Sequence, residues 1–481
     1  MTMQANTTEF YINGEWVKPS TSHTRKLINP ATEAVSGEVA MGESADVDAA
    51  IAAAKAAFPS WSVSPVEDRI ALLERIINCY KKRYADIVQA ITLEMGAPVS
   101  LSQSAQAAMG IGHFSATLEI LKSFEFSHQQ GTTEIRKEPI GVVGLITPWN
   151  WPMNQVVCKV APALAAGCTI VLKPSQDASL SAAILAEVLH EAGVPAGVFN
   201  LVQGSGSKIG DYMSRHPDID MISFTGSTQA GAEVSKAAAD TVKRVALELG
   251  GKSANIILDD ADMTKAVTNG IKAVFANSGQ TCTAPTRMLV PNSKMAEVVA
   301  IAKAVGEASQ HAVGDPTNDK TGIGPVAHQR QFEKIQAMIA QGIEEGATLL
   351  CGGTGKPEGL IQGFYVKPTI FTDVTNDMTI AREEIFGPVL VIIGYRDDSD
   401  AVAIANDSPY GLSGYVSGAD TDRVRRVASQ MRTGMVHLNG AQPDLHAPFG
   451  GYKQSGNGRE WGEHGLQDFL EIKSVLGWYK S

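Results

Sequence analysis

The sequence predicts an α/β protein made of two tandem, doubly wound α/β domains with a cleft between them. Three observations carry this reading. The 481 residues exceed what one ordinary hydrophobic core serves. From residue 140, short apolar runs rich in β-branched residues alternate with segments long enough to be helices. A second alternation starts near residue 254 and runs to about 440.

The chain before residue 140 opens on helices. Val47, Ile51, Ala54 and Phe58 recur at helical spacing behind Ser44, a suitable N-cap. A second helix follows SPVE, where Ser64 and Glu67 have capping-box spacing and Pro65 takes the first helical position. Ile70, Leu73, Ile77 and Tyr80 supply its buried stripe. Strands are then expected at 140–146, 168–172, 198–202, 221–224 and 245–249, with helices at 153–166, 179–192, 206–215 and 228–240 between them. Apolar strands separated by helices form a parallel sheet covered on both faces, and such a sheet binds ligands at the carboxyl ends of its strands. The second set of strands includes 287–290, 389–395 and 435–439. Two polar, strand-like stretches fit neither sheet, namely 125–138 and the C-terminal QDFLEIKSVLGWYK. Open strand edges find partners, so these stretches pair with each other or with another subunit.

Composition removes several classes of function. A net charge of -11 leaves no basic excess for phosphate backbones, which argues against nucleic acid as a partner. The five cysteines are scattered, without a Cys-x-x-Cys pair or a Cys/His metal spacing, so neither a disulfide framework nor a metal site is expected. No apolar run approaches the roughly 18 residues that span a bilayer. The N-terminal MTMQANTTEFYINGEW does not read as a signal peptide. A cytoplasmic protein without membrane partners is the expectation.

Four local features could carry chemistry. Cys282 lies in FANSGQTCTAPTR, whose Gly279, Gln280, Thr281, Thr283 and Pro285 suit an exposed turn rather than a core strand. Most lone cysteines are small core residues, but a thiol in such a turn becomes a nucleophile where positive potential or a base lowers its pKa. Cys158, on the apolar helix VVCKVAPALAAG, reads instead as packing or pocket lining. Glu248, in LELGGKS, ends a strand before a Gly-Gly turn; desolvated there, it would have the raised pKa of a general base, although it could equally be an ordinary surface glutamate. Asn150, in TPWNWP, places an amide at a strand's carboxyl end, where it could donate to an oxyanion. GSGSKIG (204–210), FTGSTQAG (224–231) and LKPSQ (172–176) leave successive strands with small residues or Lys173 at the exit. Each alone is ambiguous; three on one sheet favour a dinucleotide.

TPWNWP, KPS, FTGS, LELGGKS, GQTC, EEIFGP (383–388) and PFGGYKQSG (448–456) stand in the order found in the aldehyde dehydrogenase superfamily, and the resemblance runs from INGEW to the last strand. It implies an aldehyde dehydrogenase-like fold of three parts: an NAD(P)-binding domain at 1–119 and 140–250, a catalytic domain at 251–445, and a small β oligomerisation element at 120–139 and 460–481. Family members are homo-oligomers, either dimers or tetramers. The resemblance implies that an aldehyde is oxidised to its acid with reduction of NAD(P)+. Cys282 would form a thiohemiacetal and then a thioester, Asn150 and the Cys282 N–H would hold the oxyanion, and Glu248 would activate water.

The same resemblance assigns the cofactor contacts. Ile146, Thr147 and Trp149 follow one strand, and Lys173, Ser175 and Gln176 follow the next. Gly206 and Gly210 come after the third, and Phe224, Thr225, Gly226 and Ser227 surround the fourth. Leu249 and Gly250 follow Glu248, Glu384 and Phe386 position the nicotinamide ribose and ring, and Gln331 and Lys334 complete the set. Many strongly NAD-preferring members carry Glu where this chain has Gln176; without that charge to repel a 2′-phosphate, NADP+ is expected to be tolerated alongside NAD+. The implied substrate tunnel takes Trp151, Met153, Gln155, Cys158, Thr281, Thr283, Leu445 and His446. Its small lining suggests an open tunnel, and Asp444 with His446 would suit a polar or cationic aldehyde or be ordinary rim residues. Two other readings were weighed. A CoA-acylating semialdehyde dehydrogenase has no need of Glu248 as a water-activating base, and a cysteine acyl hydrolase would leave the phosphate loops without purpose.

Overall fold

The computed structural model describes residues 5–480, so residues 1–4 and 481 of the expected first and third parts lie outside the described residues. Eight strands form the first sheet. Its centre is five parallel strands, Phe199–Leu201, Thr169–Lys173, Val142–Ile146, Met221–Thr225 and Arg244–Glu248 in spatial order. In chain order this is 3-2-1-4-5, the doubly wound arrangement, with its switch point between Val142–Ile146 and Met221–Thr225. All five strands are mostly buried, as parallel strands covered by helices on both faces must be. The edges are closed by antiparallel pieces from the two ends of the chain, Phe10–Ile12 with Glu15–Val17 on one side and Gly456–Asn457 on the other.

The second sheet has seven strands. Six are parallel, in the order Thr369–Thr372, Val389–Tyr395, Arg287–Pro291, Ala254–Ile257, Ser413–Ser417 and Met435–Leu438; Thr348–Cys351 adds an antiparallel edge. A third sheet joins Leu470–Val475 to Thr133–Pro139 and Ser127–Gln130, so the two polar stretches pair with each other within the chain.

Helix starts depart from expectation in three places. Ser44 is already inside its helix, Ser44–Trp61; Glu43 is the N-cap and donates its N–H to Asp46 Oδ2 at 2.8 Å. Asp46 takes this role because its carboxylate also accepts from Ser20 and is buried there. Ser64 forms no capping box. Its hydroxyl donates to the Trp61 carbonyl at 2.6 Å, which leaves Pro65 as the N-cap of Val66–Lys82. The expected helix at 206–215 opens with a π-turn, Gly206–Gly210, before Asp211–Arg215.

One helix contact makes stability depend on pH. Glu94 is buried and accepts from the N–H groups of Leu180 and Ser181, capping the helix Ser179–Glu191 across space. Burial pushes its carboxyl up to about 8, against the lowering effect of these hydrogen bonds. A carboxyl whose folded pKa is raised contributes stability that is full below about pH 4.5 and lost as pH rises through 8. The expected slope is at most about 1.4 kcal/mol per pH unit. Denaturant unfolding at pH 5 to 9 should show this fall, and Glu94→Gln should flatten it.

Candidate active site

The carboxyl ends of the first sheet face the amino ends of the second. Glu248 ends one strand and Ala254 starts the next, so the link 249–253 crosses from sheet to sheet. Two other segments press on this link. A Cβ on Gly250 would lie 2.6 Å from Glu384 Oε2, and one on Gly251 would lie 2.5 Å from the Cys282 carbonyl. At Gly251 the neighbour is backbone and cannot give, so the approach of Cys282 dictates that glycine; at Gly250 the flexible Glu384 side chain would have to move aside. The Gly251 N–H donates to Glu384 Oε1 at 3.0 Å.

The turn that carries Cys282 lies between the helix Met263–Phe275 and the strand Arg287–Pro291. It is not the exposed turn that its composition suggests. Gln280 is fully buried and Cys282 is half-buried. Asn150 is likewise buried rather than an exposed amide. Both follow from a buried amide network. Asn150 Nδ2 donates to the Gln280 carbonyl at 3.0 Å, and Asn277 Nδ2 donates to the carbonyls of Asn150 at 2.9 Å and Gln280 at 3.2 Å. Gln106 Nε2 donates to the Asn150 carbonyl and to Asn277 Oδ1, both at 3.1 Å. Trp151 Nε1 donates to Thr281 Oγ1 at 2.9 Å, next to the cysteine. Satisfied in this way, a turn of polar residues is stable in the interior.

The thiol environment is also the reverse of the expected one. Burial pushes the Cys282 thiol up, and the carboxylates of Glu384 and Glu248 push it further. The backbone N–H of Cys282 opposes this rise. Glu248 is buried, with neither carboxylate oxygen hydrogen-bonded within the protein. Burial, followed by the charge of Glu460, holds its carboxyl well above the usual range, while Lys159 and Arg459 oppose that rise.

Lys159 and Glu460 form a buried ion pair beside this carboxyl. Lys159 Nζ also donates to Ser223 Oγ at 3.1 Å, and Cys158 Sγ donates to Glu460 Oε2 at 3.3 Å. Sequence reasoning missed Lys159, Glu460, Gln106 and Asn277. One signal was available, since a lysine on a helix whose every residue is buried requires a partner.

Apolar side chains gather beside Cys282. Cys158, Leu412, Phe449 and Trp461 form one cluster, against which Met109, Met435 and Leu445 pack together with Cys282. Thr283, Met435, Phe449 and Trp461 border an open cavity of about 810 Å³. Of the expected tunnel residues, Cys158, Thr283 and Leu445 lie here, and Thr281 and Trp151 sit next to them in the turn. Gln155 is buried one helical turn before Cys158. Met153 is not brought in, because it faces the core of the first sheet. His446 turns outward to within 2.9 Å of Glu119, away from the apolar cluster, since an exposed carboxylate satisfies it better than apolar walls.

The expected cofactor residues cluster at the strand ends of the first sheet. Ile146 and Thr147, Lys173 with Ser175 and Gln176, Gly206 and Gly210, and Phe224 through Ser227 follow four of its strands; Leu249 and Gly250 follow the fifth. Thr147 Oγ1 and Thr225 Oγ1, on either side of the switch point, are buried without hydrogen-bond partners. Lys173 Nζ donates to the carbonyls of Pro174 at 2.9 Å and Gly204 at 3.2 Å, and burial pushes it down to about 8. Ser227 caps the helix Thr228–Ala238. Trp149 meets Phe386 and His328 edge-on, at 5.6 and 5.3 Å. Gln331 donates to the carbonyls of Ile385 and Phe386, and Lys334 to that of Glu384, so in this structure both hold the 384–386 segment. Unpaired hydroxyls, a partly desolvated lysine and a helix N-terminus around one switch point fit a dinucleotide.

A doubly wound nucleotide sheet that faces a half-buried cysteine and a buried carboxyl fits the class of dinucleotide-dependent oxidoreductases. The chain belongs to the aldehyde dehydrogenase family, whose profile matches residues 16–475. It is 55% identical over 471 residues to 3-succinoylsemialdehyde-pyridine dehydrogenase of a Pseudomonas species, covering 98% of both chains. Among solved structures, a mutant of aldehyde dehydrogenase C from Pseudomonas syringae, complexed with NAD+ and octanal, superposes with a TM-score of 0.98 at 50% identity over 100% of this chain and 99% of that one. An aldehyde dehydrogenase of Mycobacterium tuberculosis complexed with NAD+ gives 0.95 at 42% identity, covering 98% of each. The protein is an NAD(P)-dependent enzyme that oxidises an aldehyde to the carboxylic acid. Among the described residues, no helix is long and apolar enough to cross a membrane and no group of His, Cys, Asp or Glu is placed to hold a metal.

The raised thiol has a measurable consequence. Alkylation of Cys282 by iodoacetamide in the cofactor-free protein should climb about tenfold per pH unit from pH 7 to 10 without a plateau. Peptide mapping of the alkylated residue checks it; a plateau near pH 7 would mean the thiol is activated in the resting protein.

Proposed function

We propose that Cys282 is the nucleophile, Asn150 the oxyanion donor and Glu248 the general base. The observation that carries this assignment is the convergence of Cys282, Glu384 and the Glu248 strand end on Gly250 and Gly251. Cys282 Sγ gives up its proton to solvent and bonds to the aldehyde carbon. The carbonyl electron pair moves onto oxygen, where the Cys282 N–H and the free hydrogen of Asn150 Nδ2 hold it; the other hydrogen of that amide is used on Gln280. Bound dinucleotide supplies the acceptor for the hydride that then leaves this carbon. Glu384 and Phe386 would hold its nicotinamide end, and the strand ends of the first sheet its phosphates and adenosine. Cys282 is left as a thioester. Once ionised, Glu248 takes a proton from water, the hydroxide adds to the thioester, the C–S bond breaks, and the proton held by Glu248 passes to the departing sulfur, releasing the acid and the thiol.

The apolar cluster beside Cys282 and the outward-facing His446 support an uncharged aldehyde with an apolar tail. The octanal held by the P. syringae relative and the pyridine semialdehyde in the name of the Pseudomonas relative agree with such a tail. Gln176 supports the use of NADP+ beside NAD+. The separate sheets support the division into cofactor-binding, catalytic and β parts. Exposed Ile472, Leu476 and Trp478 at the three-stranded sheet support a homo-oligomer, a dimer or tetramer, built through it. Five free cysteines support a cytoplasmic setting.

Following reduced nicotinamide by absorbance tests the assignment. Cys282→Ala should abolish turnover. Glu248→Gln should release about one reduced nicotinamide per site in a burst and then turn over some 10²–10⁴-fold more slowly than the parent. Loss of the burst as well would place Glu248 in the thiol step, before hydride transfer. Gln176→Glu should lower kcat/KM for NADP+ about 100-fold relative to NAD+, a difference of about 2.7 kcal/mol. If the unsubstituted protein already uses NADP+ less than about a thousandth as well as NAD+, tolerance is refuted.

A further inference from the structure

Trp461 has a backbone conformation that a tryptophan does not adopt cheaply, with φ 63° and ψ 160°. That region is essentially reserved for glycine. The neighbouring chain enforces it. Glu460 and Phe449 exchange both backbone hydrogen bonds at 2.8 Å, and the Gly462 N–H donates to the Leu445 carbonyl at 3.0 Å. A glycine would fit the same backbone without strain, so the fold alone does not call for an indole here.

The indole is held on two sides. Phe449 lies against it at 4.5 Å between ring centroids, with 30° between the planes. His113 lies at 5.2 Å and is itself fixed by a 2.7 Å hydrogen bond to Asn154. Trp461 also borders the cavity beside Thr283, one residue from the cysteine. Its cluster partners Cys158 and Leu412 are smaller, so the indole is the bulkiest side chain on that wall.

We propose that Trp461 is a specificity-determining residue that narrows the acyl chamber and selects slim, uncharged aldehydes with a straight alkyl or single-ring tail over branched or fused-ring ones. This rests on the assignment of Cys282 as the nucleophile. The side chain does no chemistry; it occupies volume that a wider tail would need. Excluding an additional carbon or two in such a pocket is worth roughly 10–200-fold in kcat/KM.

The test is steady-state kcat/KM of the full-length enzyme with saturating NAD+, for hexanal and benzaldehyde against cyclohexanecarbaldehyde and 2-naphthaldehyde. Trp461→Leu and Trp461→Gly are compared with the parent, the second because glycine relieves the backbone strain. The ratio of wide to slim substrates should rise at least about tenfold in both. A ratio changed by less than about twofold, or an equal loss for every aldehyde, means that Trp461 is only packing and overturns the proposal. Should neither variant fold, the parent decides: a preference for slim aldehydes of at least about tenfold supports the wall, and equal use of both classes refutes it. No turnover of any aldehyde by the parent would sink the functional assignment itself, whereas turnover with an unchanged ratio sinks the wall alone.

Discussion

A carboxyl without a hydrogen-bond donor lies where the two large sheets meet, and much of the surrounding structure answers its cost. An isolated carboxylate in a dry interior is prohibitively unfavourable, so the group holds its proton or finds a partner. Glu248 has no partner within the protein. Lys159, first among the cations that oppose the rise, is already paired with Glu460, so the carboxyl feels an attraction and a repulsion from the same ion pair. Its proton is therefore retained well above the usual carboxylate range. A general base for water needs this property, because a carboxylate at its ordinary pKa is too weak to draw a proton from water near neutrality.

The thiol obeys the same electrostatics with the opposite consequence. Cys282 shares its low-dielectric surroundings with Glu248 and Glu384, and each negative charge disfavours the next. The resting site therefore keeps thiol and carboxyl protonated rather than storing a thiolate. A buried thiol kept neutral is protected from adventitious oxidation. What the protein builds in advance is position rather than charge. The amides of Gln106, Asn150 and Asn277 fix the turn 277–282, and the Gly-Gly link lets it approach. Preorganised donors of this kind cost no rearrangement when the oxyanion forms.

Local chemistry was legible in the sequence, and distant partnership was not. The five central strands of the first sheet follow from apolar runs bounded by helices, and they fall within a residue or two of their expected places. The residue types at 150, 248 and 282 announced their possible roles. Their burial could not be read locally, because the residues that bury and satisfy them come from far along the chain. Gln106 reaches Asn277 across 171 positions, and Lys159 reaches Glu460 across 301. The failed capping box at Ser64 has the same origin on a smaller scale: the hydroxyl had a nearer acceptor in Trp61, the last residue of the preceding helix.

The C-terminal strap joins two functions that the sequence keeps apart. Residues 445–462 run back against the site, and Glu460 and Trp461 are neighbours on this segment. Glu460 points to Lys159 and the proton chemistry around Glu248; Trp461 points to the cavity and the aromatic wall. One backbone, held by the paired hydrogen bonds between Glu460 and Phe449, thus fixes both the ion pair beside Glu248 and the indole that borders the cavity. Moving this segment would therefore shift together the carboxylate that pairs Lys159 and the indole beside the cavity.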